Sequence, residues 1–361
     1  MLPLHPTFFD TLAHRQGNPP PVRFIDQKKP HRCAKGAAFP MIYAVLSDVH
    51  GNLPALEAVL QEARAKGAEH FLLLGDYCLS HPFPDECLSR IFALENATVI
   101  RGNEEGYLEN LQKSDPAGWT DGQMQISYWT YRHIRPENLG KLLRQPESCC
   151  LDCHGVKLHL AHASKAFIGD GEVRRWRPTQ VAQRYAGRSV TPQQFTSDAE
   201  ADLLADEELL RTLEGLEDGI YLFGHTHLQW QLRSPDGRKL LLNPGSCGLP
   251  MDCIPGSVPY ALLEVREDGT WRSQLCRVPF DSRAAAEAIR QSSAYREARV
   301  WSEVILKEIP TAREHISFFL RFTEEYARSI GDPRRPFSVD TWEAAYEAWN
   351  RTLPPEELSG L

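Results

Sequence analysis

The sequence predicts an α/β fold built on a parallel sheet. Two observations carry this: short apolar runs that stop at Asp, His or Asn, and helical patterns between those runs. Ile42 to Leu46 is the first run, and Asp48 and His50 follow it. Leu53, Leu56, Val59, Leu60 and Ala63 then recur at helical spacing, with Asn52 placed to cap the helix. Phe71 to Leu74 is the second run and ends in Gly75-Asp76. Cys87, Leu88, Ile91 and Phe92 give a second helix after Pro84, and Ala97 to Ile100 is the third run, ending in Arg101-Gly102-Asn103. The order β-α-β-α-β implies right-handed crossovers and a site outside the carboxyl ends of the strands.

Two later runs repeat the arrangement. Leu158 to Ala161 ends at His162, and Ile220 to Phe223 ends at Gly224-His225-Thr226-His227. Residues two apart in a strand share a face. Asp48 with His50, and His225 with His227, are therefore each expected to aim at one point. His159 lies three residues from His162 and is expected on the opposite face, as a structural side chain. Carboxylate, imidazole and amide oxygen together suit Mn, Fe or Zn without any thiolate.

Taken in order, Asp48-x-His50, Gly75-Asp76, Gly102-Asn103, His162 and Gly224-His225-x-His227 resemble the calcineurin-like metallophosphoesterase superfamily. The resemblance is greatest to its small bacterial phosphodiesterase-like branch, whose Asn243-Pro244-Gly245-Ser246 segment is also present. It covers residues 41–280. Gly-Asp or Gly-Asn alone would be an ordinary turn, and His225 and His227 alone would suit a sheet edge. Their order, each at a strand end, carries the signal.

The resemblance implies two mixed sheets packed face to face, helices outside, and a C-terminal helical appendix. It implies a metal-dependent hydrolase that cleaves a phosphoester, a phosphodiester first, by a hydroxide activated between two divalent ions. Mn is the expected metal, with Fe, Zn or Ni as alternatives. Asp48, His50, Asp76 and His227 would hold one ion; Asp76, Asn103, His162 and His225 would hold the other. Asp76 bridges, and no side-chain nucleophile is needed. Asp76, Asn103 and Arg101 are the expected catalytic residues. A phosphomonoester or dinucleotide polyphosphate is the alternative substrate. A scaffold on the same fold that has lost its metals is the alternative of another class.

Two neighbours modify this. Arg101 has the guanidinium to clamp phosphate oxygens bidentately; its other reading is an ion pair with Glu104 or Glu105. Glu104 stands where many relatives carry a His that protonates the leaving group. A carboxylic acid could do the same only if burial or like charge raised its pKa; otherwise Glu104 is a solvated acid, the expected case, which disfavours poorly activated alkyl esters. Ala163 follows His162 where the family usually has Gly, which should narrow the mouth slightly.

Lys and Arg number 40 against 48 Asp and Glu, a net charge of −8, which argues against nucleic acid and acidic membranes as partners. A small phosphorylated substrate is the expected partner. Nine cysteines without scaffold spacing predict reduced thiols and a cytoplasmic location. No apolar run approaches the length of a membrane span. Cys150-Leu151-Asp152-Cys153-His154 matches a haem-attachment pattern, but it lies between two strand-like runs and reads as a hairpin turn. A structural zinc on Cys149, Cys150 and Cys153 has no second cysteine pair to complete it.

The chain divides into residues 1–40, 41–280 and 281–361. The first segment carries seven prolines and more basic than acidic residues. It has no apolar core of a secretory signal, and is expected to be disordered or, since Met41 opens the first strand, an overlong translation start. Residues 105–150 are aromatic, with helical spacing from Ile126 to Leu143; they either cap the site or pack as core. The last segment reads as helices with two stripes, Ile316 to Ile330 and Trp342 to Trp349. These either pack on the main domain or pair two copies of the chain.

Overall fold

The computed structural model of the chain describes residues 25–26, 40–169 and 176–354. The expectations for residues 1–40 lie outside the described residues, apart from Ile25–Asp26 and Pro40. Eleven strands form two sheets among the described residues. They are β1 (Ile25–Asp26), β2 (Met41–Leu46), β3 (His70–Leu73), β4 (Ala97–Val99), β5 (Ser148–Cys153), β6 (Val156–Ala161), β7 (Gly219–Leu222), β8 (Gln229–Arg233), β9 (Lys239–Pro244), β10 (Ser257–Val265) and β11 (Trp271–Pro279). One sheet runs β1-β5-β6-β7-β9-β8, the other β11-β10-β2-β3-β4. β2, β3 and β4 are parallel, as are β6, β7 and β9.

Strand alternation explains why both faces of each sheet are apolar. Tyr43, Val45, Leu72, Leu74, Ile220, Leu222, Leu240, Leu242, Ala261 and Leu263 fill one buried cluster, the layer between the sheets. Their neighbours Ala44, Leu46, Phe71, Leu73, Tyr221, Phe223 and Leu241 enter the other cluster, under the helices. A strand covered on both faces reads as a continuous apolar run, the pattern seen in the sequence.

Helices α1 (Leu53–Ala65) and α2 (Pro84–Phe92) are the crossovers. Asn52 caps α1 by accepting from the Ala55 amide at 3.2 Å, and α1 buries Ala55, Leu56, Val59, Leu60 and Ala63. Helix α3 (Asn103–Gln112) starts directly after β4. The periodic stretch from Ile126 to Leu143 is two helices, 125–133 and 136–143. Pro136 lacks an N–H and opens the second. The Cys150–His154 segment is part of a hairpin: β5 pairs antiparallel with β6, and His154 and Gly155 form its turn at positive φ. Cys149, Cys150 and Cys153 form no disulfide among the described residues.

The C-terminal stripes pack on each other. Phe319 contacts Trp342, Tyr346 and Trp349 at ring-centroid distances of 4.6, 5.8 and 5.1 Å. Ile330, at the end of its stripe, is exposed. Among the described residues no helix is long and apolar enough to cross a membrane.

Candidate metal centre

Asp48 and His50 follow β2, Asp76 follows β3, Asn103 follows β4, His162 follows β6, and His225 and His227 follow β7. The strand-face argument for the Asp-x-His and His-x-His pairs is corrected by the backbone. β2 ends at Leu46 and β7 at Leu222, before any ligand. Asp48, His50, Asp76, His225 and His227 all lie at positive φ, between 52° and 69°. Each is a left-handed turn residue, not a strand residue. L-residues there cost of order 1 kcal/mol each, so the surrounding bonds must hold them.

Those bonds are present. The Asp48 amide donates to Gly75 O, the His50 amide to Asp76 O and the Gly51 amide to Tyr77 O, at 3.0, 3.1 and 2.8 Å. Asn243 Nδ2 donates to Gly224 O at 2.7 Å, and Ser246 Oγ to Asp48 O at 2.8 Å. Two glycines permit the close approach. A Cβ at Gly224 would lie 1.8 Å from Ser47 Oγ, and one at Gly102 would lie 2.2 Å from Asp76 Oδ1.

The side chains converge in two groups, Asp48–His50–His227 and Asp76–His162–His225, each with ligand atoms within 4.8 Å of one another. Asn103 Oδ1 lies 2.9 Å from His225 Nδ1, which adds the amide to the second group. A third overlapping group joins His50, Asp76 and Glu104.

Hydrogen bonds to Nδ1 fix which nitrogen of two histidines can bind a cation, and an ion pair at Nδ1 orients a third. Nδ1 of His227 faces Leu249 O and Nδ1 of His162 faces Leu74 O, both at 2.7 Å. Nδ1 of His50 faces Glu104 Oε1 at 3.1 Å. An Nδ1–H donated to oxygen leaves Nε2 with its lone pair. The Nε2 atoms of His50 and His227 then meet at 3.0 Å, 4.0 and 3.5 Å from Asp48 Oδ1. Nε2 of His162 lies 3.1 Å from Asp76 Oδ2. Asp48 Oδ1 and His162 Nε2 are buried without a hydrogen-bond partner. Two facing lone pairs beside an orphaned buried carboxylate oxygen fit a cation.

The electrostatics agree. Burial opposes the charge on Asp48, but His227 chiefly, with His162 and His50, holds its carboxyl below the usual range. Burial opposes protonation of His50, yet the Glu104 carboxylate pushes it up to about 9. Burial likewise opposes His162, which Asp76 pushes up to about 10. Buried anions here draw positive charge onto their neighbours, and metal ions would supply that charge.

Glu104 is a correction. Expected as a solvated acid, it is only 2% exposed. Its Oε1 engages His50, and its Oε2 accepts from the Leu79 amide at 3.2 Å. Glu105 is fully buried too and accepts from the amides of Asp76, Tyr77 and Gly102, tying the β3 and β4 loops together. Its signal was readable: a Glu three residues after Gly102 fits the reach-back half of a capping box. Arg101 pairs with neither Glu104 nor Glu105. Its guanidinium donates to Glu109 at 3.0 Å and Glu147 at 3.1 Å, which leaves less of it for a phosphate clamp. Ring stacking places His159 on Tyr221, 4.6 Å between centroids and nearly parallel, on the helix-covered face.

A sequence profile of the calcineurin-like phosphoesterase superfamily domain matches residues 41–268. An uncharacterized protein of Methanocaldococcus jannaschii is 28% identical over 255 residues, 68% of this chain and 90% of that protein. Among solved structures, a hypothetical protein from Pyrococcus horikoshii OT3 is similar with a TM-score of 0.50 at 19% identity, covering 76% of this chain and 100% of that one. A metallophosphoesterase from Sphaerobacter thermophilus gives 0.46 at 21% identity, covering 70% and 94%.

Proposed function

This chain belongs to the calcineurin-like phosphoesterase superfamily, and we propose that it hydrolyses a phosphodiester at a dinuclear metal centre. The observation that supports this is the pair of ligand groups meeting where β2, β3 and β4 of one sheet and β6 and β7 of the other come to their ends. In this reading Asp48, His50 and His227 hold one ion, Asn103, His162 and His225 hold the other, and Asp76 serves both. Divalent ions bound there would supply charge neutralisation at the phosphoryl oxygens and a water of lowered pKa. Mn is the favoured metal and the cytoplasm the favoured location.

The protein's own residues do the positioning. Leu249 O, Leu74 O and Glu104 orient three imidazoles, and Glu105 keeps Asp76 against the β4 loop. Glu104 is committed to His50, so it is not poised to protonate a departing oxygen. The reading therefore favours substrates whose leaving group departs as a stable anion, an activated diester or an anhydride of a nucleotide. The partner is a small phosphorylated molecule.

The test is reconstitution of metal-free protein with Mn, Fe, Zn or Ni, followed by turnover of chromogenic phosphodiesters and monoesters. Faster diester than monoester cleavage, dependent on metal, is expected. A monoester preference would replace the diester assignment, and the absence of both metal binding and turnover would favour the scaffold role.

A further inference from the structure

We propose that Trp301, in the helical region beyond the matched family domain, is a positioning residue for His50, acting through Ser80 and His81. The proposal rests on the metal centre proposed above. Trp301 lies in the helix Arg299–Glu308 and is 6% exposed. Its indole Nε1 donates to Ser80 Oγ at 3.2 Å. Ser80 is buried at φ +95°, a left-handed backbone that L-residues with a side chain rarely adopt. The next residue, His81, donates its amide to His50 O at 2.8 Å, and its Nδ1 lies 3.2 Å from the same oxygen. Asn52 Nδ2 lies 3.4 Å from His81 Nε2 and donates to Gly248 O at 2.9 Å.

The path is short and buried throughout. The residue after the strained serine, His81, carries the donors that hold the His50 backbone, and the indole is the side-chain partner that keeps the serine in place. Strain of this kind persists only where the surroundings over-determine it. Without the indole N–H, Ser80 is free to relax, and the carbonyl of His50 loses its alignment. Nε2 of His50 then shifts relative to Nε2 of His227. A second contact braces the loop that orients His227, the other imidazole of the same ligand group. The Cys253 amide donates to Ala312 O at 2.7 Å, just past this helix, in the loop whose Leu249 O holds His227. The C-terminal region thus forms the outer wall of the first ligand group.

The experiment is calorimetric titration of metal-free protein with Mn²⁺, comparing wild type, Trp301→Phe, Ser80→Ala, Ser80→Gly and His50→Ala. Trp301→Phe and Ser80→Ala should weaken one of two ions roughly tenfold, at the low end of what residues behind a ligand contribute, and leave the other within about twofold. Ser80→Gly should keep both ions near wild type, because glycine adopts φ +95° without strain. Both serine variants leave the indole N–H without its acceptor, so a merely structural bond would penalise them alike. Equal losses in Ser80→Gly and Ser80→Ala, no loss in Trp301→Phe, or equal weakening of both ions would overturn the proposal. His50→Ala separates the two readings: if it still binds two ions at wild-type affinity, the metal-site assignment itself has failed.

Discussion

The carboxylate of Glu104 and the imidazole of His50 meet at 3.1 Å inside the protein, a Glu–His pair set directly behind the first ligand group. A carboxylate behind a ligating histidine fixes its tautomer and raises its basicity. Glu104→Gln should therefore weaken one ion by roughly tenfold or more. It should slow all substrates by the same factor. Rates measured across leaving groups of graded pKa decide this. A much steeper dependence in the variant than in wild type would make Glu104 the proton donor after all.

The histidines separate by position. His162→Ala and His225→Ala should each lower occupancy of one ion, and His159→Ala should leave both, since that ring stacks on Tyr221 away from either ligand group. Metal content after dialysis measures it. Loss of metal in His159→Ala with none in His162→Ala would reverse the assignment.

Arg101 should matter little to substrate binding. Its partner Glu147 is 80% exposed, and such pairs contribute about 0–1 kcal/mol. Arg101→Ala should leave KM within about twofold and lower stability by no more than about 1 kcal/mol. A tenfold rise in KM with unchanged stability would restore the phosphate clamp.

The residues that converge in the two candidate ligand groups were legible because Asp, His and Asn after apolar runs have few structural uses in that order. Their direction was not, since strand parity stops at Leu46 and Leu222 and left-handed turns take over. Glu104 and Glu105 look like an ordinary charged doublet at a helix start; only tertiary packing reveals that one faces His50 and the other three amides. β10 carried no strand assignment from sequence. Its Pro259 interrupts the pattern; it lies opposite Arg277 of β11, before pairing with β2 begins at Ala261. The docking of Trp301 on Ser80 joins residues far apart in sequence, and no local pattern announces it.

Glu105 gives a pH signature. Burial first, then the Asp76 charge, raises its carboxyl from 4.5 to about 7. A folded-state pKa above the unfolded value adds stability that is full below about 4.5 and is lost as pH rises through about 7. In metal-free protein, wild type should thus lose stability relative to Glu105→Gln across that window and hold a constant difference above it. Denaturant unfolding of both proteins at several pH values checks the sign. A gap that moves in wild type's favour as pH rises would contradict it.

Asp76 carries the central claim, since one carboxylate is assigned to both ions. The direct measurement is Mn²⁺ bound per chain, together with turnover of a chromogenic phosphodiester, for wild type and Asp76→Ala. The account predicts two ions in wild type, at most one held tightly in the variant, and turnover lower by orders of magnitude, because the second ion is lost with its ligand. Two tightly held ions and near-normal turnover in Asp76→Ala would contradict it.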